Sequence, residues 1–159
     1  MDYGMELDLK VTDKVFKGNI HDVVKINEAA LTDEFTKQPS VYAWFAALSE
    51  IAAAQVERIK FDLSVTRAKL DSIKRAELAA EGKKITESMV EAAIITDGKI
   101  MALTEELIDG GRQLGILKAI VRALDQRKDM LIQLGSTKRQ EMVLGDFGVN
   151  LTKVKENNS

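Results

Sequence analysis

The segment SVTRAKLDSIKRAEL, Ser64 to Leu78, sets cations at helical spacing among apolar residues. Lys60, Arg67 and Lys74 stand seven residues apart, so a helix puts them on one face. Each follows by one position Ile59, Thr66 or Ile73, which places the row along the edge of an apolar seam. Lys69, Arg75, Lys83 and Lys84 widen the patch. A row of long cations on a rigid rod matches the repeat of phosphates along a nucleic-acid strand without reading bases. The same row also reads as the solvated flank of a coiled coil, paired with acids such as Glu105 or Glu106 on a neighbouring helix.

Other chemistries find no residues to carry them. The chain has no cysteine, which excludes disulfides, thiol catalysis and cysteine-ligated zinc. Its one histidine, His21, makes neither a metal cluster nor a triad. Asp146–Gly148 spells DFG, yet no Gly-rich loop or catalytic-loop motif accompanies it, so the match is chance. No phosphate-binding Gly-rich loop ending in Lys-Ser/Thr is present, so the chain is not expected to hydrolyse a nucleotide. The pairs Glu105–Glu106 and Glu87/Glu91 have helix-surface spacing and read as solvated carboxylates. Tyr42, Trp44, Phe45 and Phe61 could stack on bases, but their apolar neighbours and spacing point to the core. Neither an enzyme activity nor a cofactor is expected.

Composition sets the frame for these residues. A length of 159 residues suffices for one domain with a sizeable core, and 30% charged against 45% hydrophobic residues excludes a chain disordered throughout. Aromatics at 5% and a single proline favour helices over a sheet. No uninterrupted apolar run is long enough to span a membrane, and the acidic start MDYGMELDLK lacks the basic and apolar regions of a signal peptide. Net charge is −2, but it is segregated. Glu57–Lys84 holds eight Lys/Arg against five Asp/Glu, and Arg112–Arg139 seven against two. Local anion binding is therefore open to an acidic protein.

The expected elements are these. Residues 1–18 form a lead-in with a short strand near Glu6–Val11. A first helix follows, capped by Asn19, and TKQPS breaks it. A long second helix runs from Pro39 to Ala80, with Phe45, Leu48, Ala52, Ile59, Leu63, Thr66, Leu70 and Ile73 as its seam. Gly82 ends it, and Thr86 caps a third helix, with Ile85 and Val90 at staple positions. That helix steps at Thr96–Gly98, where Thr96 or Asp97 caps the restart. The last helix carries Ile100, Leu103, Leu107, Gly110, Leu114, Leu117, Val121, Leu124, Lys128 and Leu131 at alternating steps of three and four, a heptad seam. Gly110 admits a tight crossing, and Gly135 stops the helix before a loop and a frayed tail. The expected fold is all-α: two long antiparallel helices and a shorter N-terminal helix in one domain, 19–142, with a tail over 143–159. Two seams this long need other copies of the chain, and Leu103, Leu107, Leu114, Leu117, Val121, Leu124 and Leu131 are the candidate oligomerisation residues.

The order of segments carries a resemblance. VYAWFAALSEIAAAQVERIKFDLSVTRAKLDSIKRAEL is followed by KKITESMVEAAIITDGKI and then by AIVRALDQRKDMLIQLGSTKRQEM. From Val41 to Met142 this resembles the UvsY family of bacteriophage recombination mediators. In that family an aromatic helix start leads into a basic helix, a capped helix and an Arg-rich closing helix. VTRAKLD, Val65–Asp71, stands at the family's basic segment, with Arg67 and Lys69 in the places of its two cations and their order exchanged. The resemblance implies a non-enzymatic protein that binds single-stranded DNA as a ring-like homo-oligomer. It also implies that the chain helps a RecA-type recombinase displace single-strand binding protein, in the cytoplasm of a bacterial host. Arg67 and Lys69 then lead the DNA contacts, supported by Lys60, Lys74 and Arg75. The alternatives are an oligomeric phage scaffold or adaptor that binds only protein and, more remotely, a membrane-surface helix, against which Asp62 and Asp71 argue.

Overall fold

The computed structural model describes residues 4–82 and 84–156, and of 146–156 the backbone alone. Two strands, β1 (Glu6–Val11) and β2 (Lys14–Asn19), pair as a hairpin and are followed by α1 (Ile20–Val24) and a 3₁₀ turn (Glu28–Ala30). Three helices complete the chain: α2 (Leu31–Ala80), α3 (Glu87–Ile95) and α4 (Gly98–Glu156). The protein is mostly helical, with a long helix pair packed together and a small two-stranded sheet.

Local chemistry accounts for most boundaries. Asn19 caps α1 by accepting from the His21 N–H at 2.8 Å. Thr86 caps α3 by accepting from Met89, and Asp97 accepts from the Lys99 N–H at 2.9 Å at the start of α4. Gly82 takes φ +68° in the turn after α2, a conformation that a Cβ disfavours.

The departures have physical causes. The strand expected at Glu6–Val11 is present, but it has a partner, β2, that residues 14–19 did not announce. The first helix is interrupted at 25–27, because Lys25 and Asn27 are extended. The Asn27 side chain accepts from Ala29 N–H, and the Lys25 carbonyl is taken by the Arg127 guanidinium rather than by a next helical turn. Pro39 does not start a helix: α2 begins at Leu31 and runs through it. The proline is exposed, so water can reach the Phe35 carbonyl that its missing N–H leaves without a helical donor. Gly135 does not stop α4, which continues to Glu156. A Cβ there would lie 2.9 Å from Phe35 Cζ, so this glycine makes room for a ring.

By its contacts the chain divides into two compact units. One contains Gly18–Phe45 and the chain from Ile120 onward, together with the start of β1. The other contains Asp8–Lys17 and Ala46–Ala119. In the first, Phe45, Ile120, Leu124 and Leu131 are buried, and α2 runs antiparallel to α4, with Glu34 opposite Arg127 and Gln38 opposite Leu124. In the second, Leu9, Val11, Leu48, Ala52, Val56, Ile59 and Leu117 are buried. Val90, Ile94 and Ile100 form a cluster there against Leu63, Leu70 and Leu78. Gly110 meets Val56 in that unit, its virtual Cβ 3.4 Å from Cγ2, which is the close approach expected of it.

The α2 seam drifts from a strict heptad. Ile73, four heptads beyond Phe45, is 49% exposed. An undistorted helix turns by about 20° per heptad relative to a seven-residue repeat, so four heptads carry a position roughly 80° off the seam. On α4, Ile120 and Arg127 are buried where Val121 and Lys128 were expected, and Lys128 is exposed.

Candidate nucleic-acid interface

The basic residues of α2 fall on two sides of the helix. At 3.6 residues per turn, Lys60, Arg67 and Lys74 share the side that packs on α3, whereas Lys69 points about 200° away from Arg67. Arg67 and Lys69, expected to lead the DNA contacts together, therefore stand on different sides of α2.

The row on the α3 side is paired throughout. Lys60 holds Glu57 at 2.8 Å, and Lys74 holds Glu77 at 3.0 Å. Arg67 pairs with Glu91. Arg75 makes a fork on Glu87, with Nη1 to Oε1 at 3.0 Å and Nη2 to Oε2 at 2.7 Å, and its Nε donates to Asp71 at 2.8 Å. Its hydrogen bonds to the Glu87 and then the Asp71 carboxylate raise the Arg75 guanidinium above its ordinary value. Arg75 in turn lowers the carboxyls of Glu87 and Asp71, and Glu77 raises the Lys74 ammonium. The acids that face the row are thus those of α3 and of α2 itself. Glu105 and Glu106, the expected partners, lie exposed on α4 and take no part in these ion pairs.

The outward side of α2 is different. Arg58, Phe61 and Lys69 follow one another at steps of three and eight, which keeps them on one face. Phe61 is 61% exposed, a large apolar ring left in solvent. Lys69 is exposed and has no ion pair among the described residues, and Arg58 keeps only a 3.7 Å contact to Asp62. The expectation that all four aromatics belong to the core is corrected here. Phe45 is buried, but Tyr42, Trp44 and Phe61 are exposed. Lys84 is exposed in the turn after α2, and Lys83 lies outside the described residues.

The candidate oligomerisation residues are placed as follows. In the unit that contains Ala46–Ala119, Leu117 is buried and Leu103, Leu107 and Leu114 are half-buried. In the other unit, Leu124 and Leu131 are buried and Val121 is half-buried. The burial of Leu117, Leu124 and Leu131 is accounted for by one chain alone.

One polar cluster escaped sequence reasoning. Arg127 is 8% exposed and donates to Glu34, to Gln38 and to the Lys25 carbonyl at 3.2 and 3.3 Å. It stands beside a cavity of about 600 Å³ walled by Val23, Ile26, Val41 and Phe45. The signal was present in the α4 pattern: a heptad that continues from Leu124 to Leu131 must turn Arg127 or Lys128 inward. Among the described residues no group of three or more His, Cys, Asp or Glu could hold a metal ion, and no helix is long and apolar enough to cross a membrane. In comparisons with known proteins, no family model, no curated protein and no solved structure matches the chain.

Proposed function

We propose that the protein is a non-enzymatic, sequence-independent binder of single-stranded DNA that acts as a recombination mediator. In this role it helps a RecA-type recombinase load onto DNA covered by single-strand binding protein. The observation that carries the reading is the outward stripe of α2, where exposed Phe61 stands on one face with Arg58 and Lys69. An aromatic ring offers a base a stacking surface of any sequence, and flanking cations meet the phosphates. The resemblance to UvsY mediators over Val41–Met142 supplies the recombinase, the single-strand binding protein and the ring-like homo-oligomer as partners. Ile108 on α4, 68% exposed, provides apolar surface for another copy.

Substitution separates the two contributions. Phe61→Ala should weaken binding of an oligothymidine by about 1–3 kcal/mol, without changing the slope of log K against log salt. Arg58→Ala with Lys69→Ala should flatten that slope by roughly 0.7 for each phosphate no longer neutralised. Wild-type affinity and slope in both variants would remove the stripe from the site.

The ion pairs of the row favour a second reading, an oligomeric helical scaffold or adaptor that binds only protein. In that reading Lys60, Arg67, Lys74 and Arg75 are spent within the chain. It predicts an intact oligomer with no affinity for oligonucleotides at low salt.

A further inference from the structure

We infer that α3 is a carboxylate strap that masks the basic row, with Glu87 and Glu91 occupying the guanidiniums of Arg75 and Arg67 where a strand's phosphates would sit. The inference rests on the DNA-binding reading above and adds to it a second, masked surface on the α3 side of α2.

Three observations carry it. First, the acids come from a separate helix. Glu87 and Glu91 are four apart, one turn of α3, and they meet two cations eight apart, about two turns of α2. Second, the geometry is that of phosphate recognition. Arg75 engages Glu87 through two parallel N–H···O bonds, the fork a guanidinium also offers to a phosphate. Third, the strap is anchored by other residues. Thr86 caps α3, and Val90 and Ile94 are 1% and 2% exposed in the cluster against Leu63, Leu70 and Leu78. The acids therefore stay beside the row when their ion pairs break, and only side chains have to swing.

The consequence is selective. A carboxylate tethered beside its cation has a high effective concentration, so a single free anion displaces it poorly. A chain of phosphates engages several cations together and exchanges with both acids at once. Because these pairs are solvent-exposed, water and salt screen them and the exchange is not prohibitive. The mask thus favours polyphosphate chains over small anions.

The test is fluorescence-anisotropy titration of a labelled oligothymidine across a salt series, comparing wild type with Glu87→Gln/Glu91→Gln. The control is Glu105→Gln/Glu106→Gln, which makes the same charge change at acids outside the row. Circular dichroism establishes that both variants keep wild-type helix content, and Glu91→Gln alone serves should the double variant lose helix. Unmasking predicts at least fivefold tighter binding for Glu87→Gln/Glu91→Gln than for the control. It also predicts a slope steeper by up to about 1.4, or 0.7 for each freed guanidinium. Glu91→Gln alone should give part of both effects. If wild type binds and the strap variants gain no more than the control, the mask is overturned while the DNA-binding reading stands. If no protein of the set binds at low salt, both fall together.

Discussion

Replacing Arg127 by methionine should destabilise the protein severely. The guanidinium donates to the Glu34 carboxylate, the Gln38 amide oxygen and the Lys25 carbonyl, and its side chain is 8% exposed against 14% for Glu34. Methionine fills much of the volume but leaves a largely buried carboxylate without a cation and two carbonyl oxygens without donors. Breaking a buried pair on one side costs about 3–5 kcal/mol. That is a large fraction of the roughly 5–15 kcal/mol by which domains of this size are stable. With a urea m-value of about 2 kcal/mol/M, the midpoint should fall by roughly 1.5–2.5 M. Trp44, the only tryptophan, lies in the same unit edge-on to Phe45 at 4.7 Å, so its fluorescence reports the transition. Removing both charges as Arg127→Met/Glu34→Leu should recover most of the loss, since an apolar pair of similar volume carries no desolvation cost. Recovery should stop short of wild type because Gln38 and Lys25 still lack their donor. A penalty below about 1 kcal/mol for Arg127→Met, or no recovery in the double variant, would refute this account of the cluster.

Three other perturbations follow from single residues. Gly111 and Gly115 lie inside α4 with nothing within 4 Å of a virtual Cβ, so alanine at either should raise stability by about 1 kcal/mol in thermal or urea unfolding. Alanine at Gly135 should not, because the Phe35 ring must give way. Thr12, a β-branched residue at φ +55° in the hairpin turn, should be improved by glycine by roughly 1 kcal/mol, read from the same unfolding curves. Arg75 holds the Glu87 and Asp71 carboxyls below their ordinary values of 4.5 and 3.8. The stability this gives is complete above those values and is lost as pH falls through the depressed ones. Carboxyl carbon NMR should follow Glu87 titrating below 4.5, and Arg75→Ala should return it to the ordinary value.

Caps and the α3–α4 step were legible because they depend on a few adjacent residues. Thr86, Asp97 and Asn19 each satisfy a backbone N–H within three positions. What depends on distant partners was not. The breaker reading of Pro39 and the stop reading of Gly135 follow local propensity, and long-range packing overrides both. Gln38, beside the proline, is 6% exposed and donates to the Leu124 carbonyl, and Gly135 receives a ring. On α2 the seam was legible until the drift of a 3.6-residue helix against a seven-residue rule carried Ile73 to the surface; on α4 the heptad steps were legible, but Ile120 and Arg127 are buried in place of their neighbours Val121 and Lys128. Within the candidate site, the cations were visible in the sequence, but their division into a paired row and an open stripe was not. Positions two apart look adjacent in a string and face opposite ways on a helix. Which acids meet the row depends on where α3 packs, and Val90 and Ile94 decide that.

The central claim is that this chain holds single strands of DNA, and the most direct measurement is anisotropy of a labelled oligothymidine titrated with wild-type protein. The titration is run at low and at physiological salt, beside a duplex of the same length. Binding that prefers the single strand and weakens steeply with salt is the predicted result. Flat anisotropy at low salt, from a protein whose helix content is intact, would contradict it and leave the scaffold reading in its place.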